Sequence, residues 1–251
     1  MTGLTSVTFR QLKAEEIIAL ACKAQLQGIE WGGDVHAPAG ATTVARQLRE
    51  RTLDAGLKVL SYGSYYRLGN QMEFVPVLET AVALGAPVIR IWAGTFGSAK
   101  AVETDYLTLS AELRSICAMA QADGIGIALE YHRNTLTDCK ESAQKLVTLT
   151  DSPNLSCYWQ PNPELAVEEH LREIQTILPY FSNVHVFHWT AGENKENIRH
   201  PLSEGYEVWR RYLDALAKCG RPFHTILEFV QQDSPEQFLE DAAVLRRLTG
   251  C

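Results

Sequence analysis

The chain has 251 residues, 46% of them hydrophobic and 21% charged, with a formal net charge of -7. That length suits a single α/β barrel with a large core. The acidity, with a pI near 5.5, argues against holding a polyanion such as nucleic acid by bulk electrostatics. No apolar run of about 18 residues is present to span a membrane, and the stretch Met1 to Arg10 lacks the basic start and apolar run of a secretory signal. The six cysteines form neither a Cys-x-x-Cys pair nor a zinc-knuckle spacing. Reduced thiols in a cytoplasmic protein are therefore expected.

Short β-rich runs alternate with segments of helical period along the whole chain. Strand Leu4 to Phe9 precedes helix Lys13 to Gln25; strand Gly28 to Gly33 precedes helix Val44 to Ala55; strand Leu57 to Tyr62 precedes helix Phe74 to Leu84. Strand Pro87 to Ala93 and helix Asp105 to Asp123 follow, then strand Gly126 to Tyr131 with helix Asp138 to Thr148 and strand Leu155 to Trp159 with helix Glu164 to Leu178. The last pairs are Val184 to Trp189 with Tyr206 to Cys219, and Thr225 to Val230 with Pro235 to Leu248. Asp138 with Glu141, and Ser234 with Pro235 and Gln237, read as helix N-caps that satisfy orphan backbone N–H groups. Gly28, Gly56, Gly85, Gly124 and Gly220 each stand between a helix and the next strand, where a left-handed stop is wanted. Several strands are apolar throughout, as strands covered on both faces are. Eight such βα units close most economically into a (β/α)8 TIM barrel, one α/β domain spanning 1–251. The first strand runs into Arg10-Gln11-Leu12, not a Gly-x-Gly-x-x-Gly turn or a P-loop, which counts against a dinucleotide-binding open sheet.

In such a barrel the chemistry belongs at the C-terminal strand ends. Glu130, His185 and Glu228 each interrupt an apolar strand near that end. Two carboxylates brought together repel unless a cation lies between them, and an added imidazole makes a mixed O/N site suited to Mn, Mg, Co or Zn. Gln160, at the end of the sixth strand, offers an amide oxygen as a fourth, uncharged ligand or as a partner for a sugar hydroxyl. His132, two residues beyond Glu130, faces the same side one step nearer the mouth, as a substrate contact or an exposed loop histidine. His188 has the opposite parity to His185, so His185 is the ligand and His188 supports it or faces substrate. Glu30 and Arg90, both on even-numbered strands, suit a buried ion pair; the alternative sets Glu30 beside the substrate, under Asp34 and His36. Aromatic residues at the strand ends, among them Tyr62, Trp92 and Trp159, suit a pocket that stacks on sugar rings. The polar loop Gly192 to Asn197 reads as solvated, although Lys195 with Arg199 could meet an anion there.

The order of Glu130 on strand five, Pro161 after strand six, His185 on strand seven and Glu228 on strand eight resembles the xylose isomerase-like TIM barrels, a sugar isomerase and epimerase superfamily that also includes endonuclease IV. Glu30, the run Leu84 to Arg90 and the segment Pro201 to Trp209 resemble the same family, so the likeness covers essentially the whole chain. By this resemblance Glu130, His185 and Glu228 fall on three of the family's four metal-ligand positions. The fourth is usually an aspartate before a proline and is Gln160 before Pro161 here, which removes one negative charge. Where many relatives continue from the histidine with lysine and aspartate, this chain has Phe187 and His188, which points to a nonstandard substrate or reaction.

The function expected from these readings is divalent-metal-dependent isomerisation or epimerisation of a small keto-sugar through an ene-diolate. Glu130 and Glu228 would move protons on opposite faces, with Glu30, Tyr62, Trp92, His132, Trp159 and His188 contacting substrate. The alternatives are a metal-dependent lyase or hydratase acting on an oxidised sugar or glycoside, and a non-catalytic sugar-binding barrel. A small carbohydrate is the expected partner, with neither nucleic acid nor membrane, and assembly into a homo-oligomer stays open.

Overall fold

The computed structural model describes residues 1–194 and 196–250. Eight parallel strands close into a barrel: β1 (Thr2–Thr5), β2 (Gly28–Gly32), β3 (Lys58–Arg67), β4 (Val88–Trp92), β5 (Gly126–Glu130), β6 (Leu155–Trp159), β7 (Phe181–Val186) and, after a two-stranded hairpin of β8 (His188–Ala191) and β9 (Asn197–His200), β10 (His224–Leu227). The helices are α1 (Ala14–Lys23), α2 (Thr42–Asp54), α3 (Val75–Leu84), α4 (Glu103–Ala122), α5 (Lys140–Thr150), α6 (Val167–Ile177), α7 (Tyr206–Leu216) and α8 (Pro235–Thr249). The expected (β/α)8 barrel is therefore the fold. Among the described residues no helix is long and apolar enough to cross a membrane, and Cys22, Cys117, Cys139, Cys157 and Cys219 are free thiols.

The barrel has two cores, as inward and outward side chains alternate along each strand. Inside, Leu60, Ala128, Tyr158 and Ile226 pack together with Val88 against them. Outside, Trp31, Trp159, Trp209, Phe9 and Phe238 fill the space between strands and helices at full burial. Tyr158 caps the inner layer and touches His185 at a ring separation of 5.2 Å, so the apolar plug ends where the polar site begins.

Several boundaries differ from the sequence reading for identifiable reasons. The expected strand Leu4 to Phe9 stops at Thr5 and curls into a 3-10 turn over Ser6–Phe9. There the Ser6 hydroxyl accepts the Gly32 N–H at 2.8 Å and the Thr8 hydroxyl accepts the Phe229 N–H at 3.1 Å. Side-chain oxygens thus satisfy neighbouring strand ends where the ladder stops. Asp138 does not cap α5: the cap residue is Cys139, with no side-chain bond, and Asp138 Oδ2 accepts the Ser98 N–H at 3.0 Å. Of the five glycine stops, Gly56, Gly85, Gly124 and Gly220 have positive φ. Gly28 instead opens β2, where a Cβ would lie 2.4 Å from the Lys58 carbonyl oxygen, and Gln25 takes the left-handed turn at φ 56°.

Ser234 is the cap that the sequence indicated, its hydroxyl accepting the Gln237 N–H at 3.2 Å at the start of α8. Helix α8 packs on β10 and β1, where the barrel closes. Ser234→Ala is expected to lower the free energy of unfolding by about 1 kcal/mol, measured by urea denaturation, with no change in the steepness of the transition.

Candidate metal centre

The site grows from a buried ionic lattice across β2, β4 and β5. Arg90 Nε donates to Glu30 Oε1 at 3.1 Å and Arg90 Nη1 donates to Glu130 Oε2, all three side chains being 3% exposed or less. Ser61, paired with Glu30 across β2 and β3, donates to Glu30 Oε2 at 2.7 Å. The Glu30 to Arg90 ion pair is thus present, and Arg90 also holds Glu130. Burial pushes the Glu30 carboxyl up, but the Arg90 and His185 charges outweigh it and hold it far below the usual carboxylate range. Burial acts the same way on Glu130, which Arg90 and His185 likewise keep ionised.

His185 joins this lattice to the metal-ligand candidates. Its Nε2 lies 3.2 Å from Glu30 Oε1. An ionised carboxylate can only accept, so Nε2 carries a proton and Nδ1 presents its lone pair when the ring is neutral. Around Nδ1 lie Glu130 Oε1 at 3.5 Å, Glu228 Oε2 at 3.5 Å and Gln160 Oε1 at 3.4 Å. The amide of Gln160 is turned that way because its Nε2 donates to the Tyr131 carbonyl at 2.8 Å. Ligand atoms of Glu130, His185 and Glu228 lie within 4.8 Å of one another. Three oxygens and one imidazole nitrogen converging at this spacing fit a hard or borderline divalent cation. A proton competes for the same place: burial lowers the His185 pKa, but Glu228 and Glu30 outweigh it and raise it to about 10. Cation binding would release that proton.

Local structure delivers each ligand. Beyond Glu130 the chain turns on threonine hydroxyls, Thr137 donating to the Glu130 carbonyl at 2.5 Å and Thr135 to the His132 carbonyl at 2.7 Å. Glu228 stands one residue past β10, next to Phe229, whose φ of 47° is unusual for a non-glycine residue. Arg10 and Arg199 flank the Phe229 ring at 5.3 and 4.8 Å, which holds that conformation in place. Burial, with the Glu130 charge adding to it, raises the Glu228 pKa against the pull of His185 and Arg90. No donor hydrogen-bonds its carboxylate among the described residues.

The remaining candidates separate into two groups. His132 and Trp92 lie one step above Glu130 and Arg90 on their strands, with rings 5.6 Å apart, and Arg90 sits 5.8 Å under the Trp92 ring. Tyr62, Trp159 and His188 are not brought to this mouth. Tyr62 is fully buried and donates to the Ala37 carbonyl, and Trp159 packs outside the barrel on Trp209, Tyr212 and His170. The strand breaks after Val186, so His188 starts β8 and packs on His200 and Gly205. Asp34 and His36 are not above Glu30 as partners: Asp34 pairs with Arg10, and His36 bonds the Leu12 carbonyl. In the loop Gly192 to Asn197, Lys195 lies outside the described residues; the flanking β8 and β9 pair antiparallel, and β9 is pinned by Arg199 to Asp233 and by Asn197 to Arg133.

Two groups went unnoticed in the sequence. Glu173, 3% exposed, lines a cavity of about 60 Å³ with Tyr131, His132, Gln160, Phe187 and Trp189. Among the described residues only the Trp159 Nε1–H reaches it, at 3.5 Å. Its place on the buried face of α6 with His170, Ile174 and Ile177 was readable from helical spacing. Arg67, at the end of β3, follows the run Leu60 to Tyr66 and was masked by its aromatic neighbours.

Residues 18–248 match the family model described as xylose isomerase-like TIM barrel, and the chain belongs to that family. A curated relative, 3-dehydroshikimate dehydratase of Bacillus anthracis, is 27% identical over 167 residues, 61% of this chain and 59% of the relative's length. The match thus spans under two thirds of that protein. The crystal structure of the probable 3-DHS dehydratase AsbF of Bacillus anthracis superposes with a TM-score of 0.78 at 19% identity, covering 98% of each chain. The IOLI protein with a bound zinc atom gives 0.74 at 14% identity, covering 99% of this chain and 98% of that one. Both structures share the fold.

Glu30→Gln is expected to weaken divalent-cation affinity about 10- to 100-fold, because it loosens the tautomer and ring orientation of His185. Calorimetric titration with Mn or Zn checks this, and an unchanged Kd would remove Glu30 from that role. Burial raises the Glu173 pKa to about 7, so its ionisation opposes folding. The wild-type chain should lose stability relative to Glu173→Gln as pH rises from about 4.5 to 7, by on the order of 3 kcal/mol. The difference should then level off, which urea titrations across that range would show.

Proposed function

We propose that the protein is a divalent-metal-dependent lyase that dehydrates a small polyhydroxylated carbonyl compound. The observation that carries this reading is the inequality of the two carboxylates around His185 Nδ1. Glu130 has both oxygens engaged, one by Arg90 and one facing His185, whereas among the described residues Glu228 faces His185 alone. Epimerisation by opposed carboxylates needs two comparable proton carriers, and Glu130 is ill suited to be one. The dehydratase named for the Bacillus anthracis relative supports the same direction.

A divalent cation held by Glu130, Gln160, His185 and Glu228 would act as a Lewis acid on the substrate carbonyl and acidify the neighbouring C–H. His132 supplies the base. Its Nδ1 lies 2.7 Å from the Arg133 carbonyl oxygen, which can only accept, so the proton sits on Nδ1 and Nε2 keeps its lone pair. Nε2 takes the proton from the carbon beside the carbonyl, leaving an enolate. The enolate expels the hydroxyl on the next carbon, that hydroxyl takes the proton back from the imidazolium as it departs, and water and a carbon–carbon double bond result. One base serves both transfers, which is what an unequal carboxylate pair calls for. Return of the proton to carbon instead would give the isomerase or epimerase outcome expected from the sequence, by way of the same enolate.

The test is to incubate Mn-loaded protein with 3-dehydroshikimate and with a panel of ketoses in deuterated water, following products by NMR and mass spectrometry. A product lighter by one water from the first, with deuterium exchange no faster than dehydration, is expected. His132→Gln should lower kcat about 100- to 10,000-fold at unchanged metal content. Epimerised ketose without loss of water would replace the lyase reading by the isomerase one, and protein that binds no stoichiometric metal would overturn both.

A further inference from the structure

We infer that Arg67, stacked on Trp92, is a carboxylate-binding subsite, so that the substrate is a monoanionic hydroxy-acid and not a neutral sugar. This deepens the proposed dehydration and rests on that reading for the place of the reacting carbons. Guanidinium groups ring the mouth at Arg10, Arg67, Arg90, Arg133 and Arg199. Arg10 is paired with Asp34, Arg90 with Glu30 and Glu130, Arg133 with Glu164 and Arg199 with Asp233. Arg67 has no carboxylate within ion-pair distance among the described residues. Its one hydrogen bond is a long contact from Nη1 to the Gly94 carbonyl at 3.4 Å, so most of its donors want an acceptor.

The group is held for recognition. Strand β3 is ten residues long and runs past the barrel rim, with Arg67 paired to Trp92 across β3 and β4. The Arg67 guanidinium lies 3.9 Å over the Trp92 ring, a stacking that fixes the plane of its N–H fork and removes water from one face. Tyr65 packs edge-on to the same indole at 4.9 Å and His132 tilts over it at 5.6 Å. The Trp92 Nε1–H is itself buried without a partner among the described residues, so the ring that Arg67 covers carries a further unsatisfied donor. A cation with an open, oriented fork is the arrangement that takes a carboxylate through two parallel bonds.

Charge balance points the same way. The three carboxylates Glu30, Glu130 and Glu228 are matched by Arg90 and a divalent cation, with His185 neutral as a ligand. The charge left over is that of Arg67, and one substrate carboxylate neutralises it. Arg67 sits in the layer above Glu130, whose charge it feels, alongside His132. A carboxylate on Arg67 would therefore place the rest of a small ring or chain between His132 and the cation.

The experiment compares an acid with its methyl ester on Mn-loaded protein. Calorimetry measures Kd for 3-dehydroshikimate, its methyl ester and fructose, on the wild-type chain, Arg67→Lys and Arg67→Met, with thermal unfolding run on each. The wild-type protein should bind the acid roughly 10- to 100-fold more tightly than the ester. Arg67→Met should bring that ratio close to one, and Arg67→Lys should restore only part of it, since an ammonium lacks the planar fork. The ratio within each variant does not depend on how much of the sample is folded. Equal binding of acid and ester by the wild-type chain, or an undiminished ratio in Arg67→Met, would overturn the subsite. Acid-selective binding without any dehydration would leave the subsite standing and sink the lyase reading instead.

Discussion

The site depends on one buried cation. Arg90 sits inside the barrel, 3% exposed, with Glu30 on one side and Glu130 on the other. Two carboxylates at that depth would not both stay ionised without it. Because Arg90 keeps them charged, Glu130 can face a metal and Glu30 can fix the imidazole of His185. The lattice is costly to desolvate and does not by itself argue for stability. What it supplies is orientation, since each partner uses a defined edge of a planar group and leaves the other edge for the next residue.

That orientation passes outward in steps. Arg90 fixes Glu30, Glu30 fixes His185 through Nε2, and Nδ1 becomes the point on which Glu130, Glu228 and Gln160 converge. At the end of β6 stands Gln160, an amide, and the tertiary structure fixes which end of it faces the site. Tyr131 accepts its Nε2–H, so only the oxygen is available to the site.

Much of this was legible in the sequence. Hydrophobic runs of strand length alternating with helical period call for parallel strands covered on both faces, and eight such units in this length close most economically into a barrel. Glu130, His185 and Glu228 stood out as polar residues at the ends of such strands, and the Glu30 to Arg90 pairing followed from strand parity. Aromatic residues were the poorest guides. Tyr62, Trp92 and Trp159 look alike in a strand-end context, yet Tyr62 and Trp159 point out toward helices and Trp92 alone of the three covers the mouth. A large side chain at a strand end fills either core equally well, so its composition carries no direction.

By itself the sequence indicated the barrel, the strand at whose end each candidate ligand stands and the pairing of Glu30 with Arg90. These are local matters of period and parity, written into neighbouring residues. The tertiary structure alone decided which edge of each polar group is free. Among the described residues Arg90 reaches two carboxylates and Arg67 reaches none, while His188 leaves the site because the strand breaks after Val186. Glu173 comes to lie under Gln160 through the packing of α6. Such choices depend on partners far apart in the chain, and hydrogen-bonding capacity is shared out only when those partners meet.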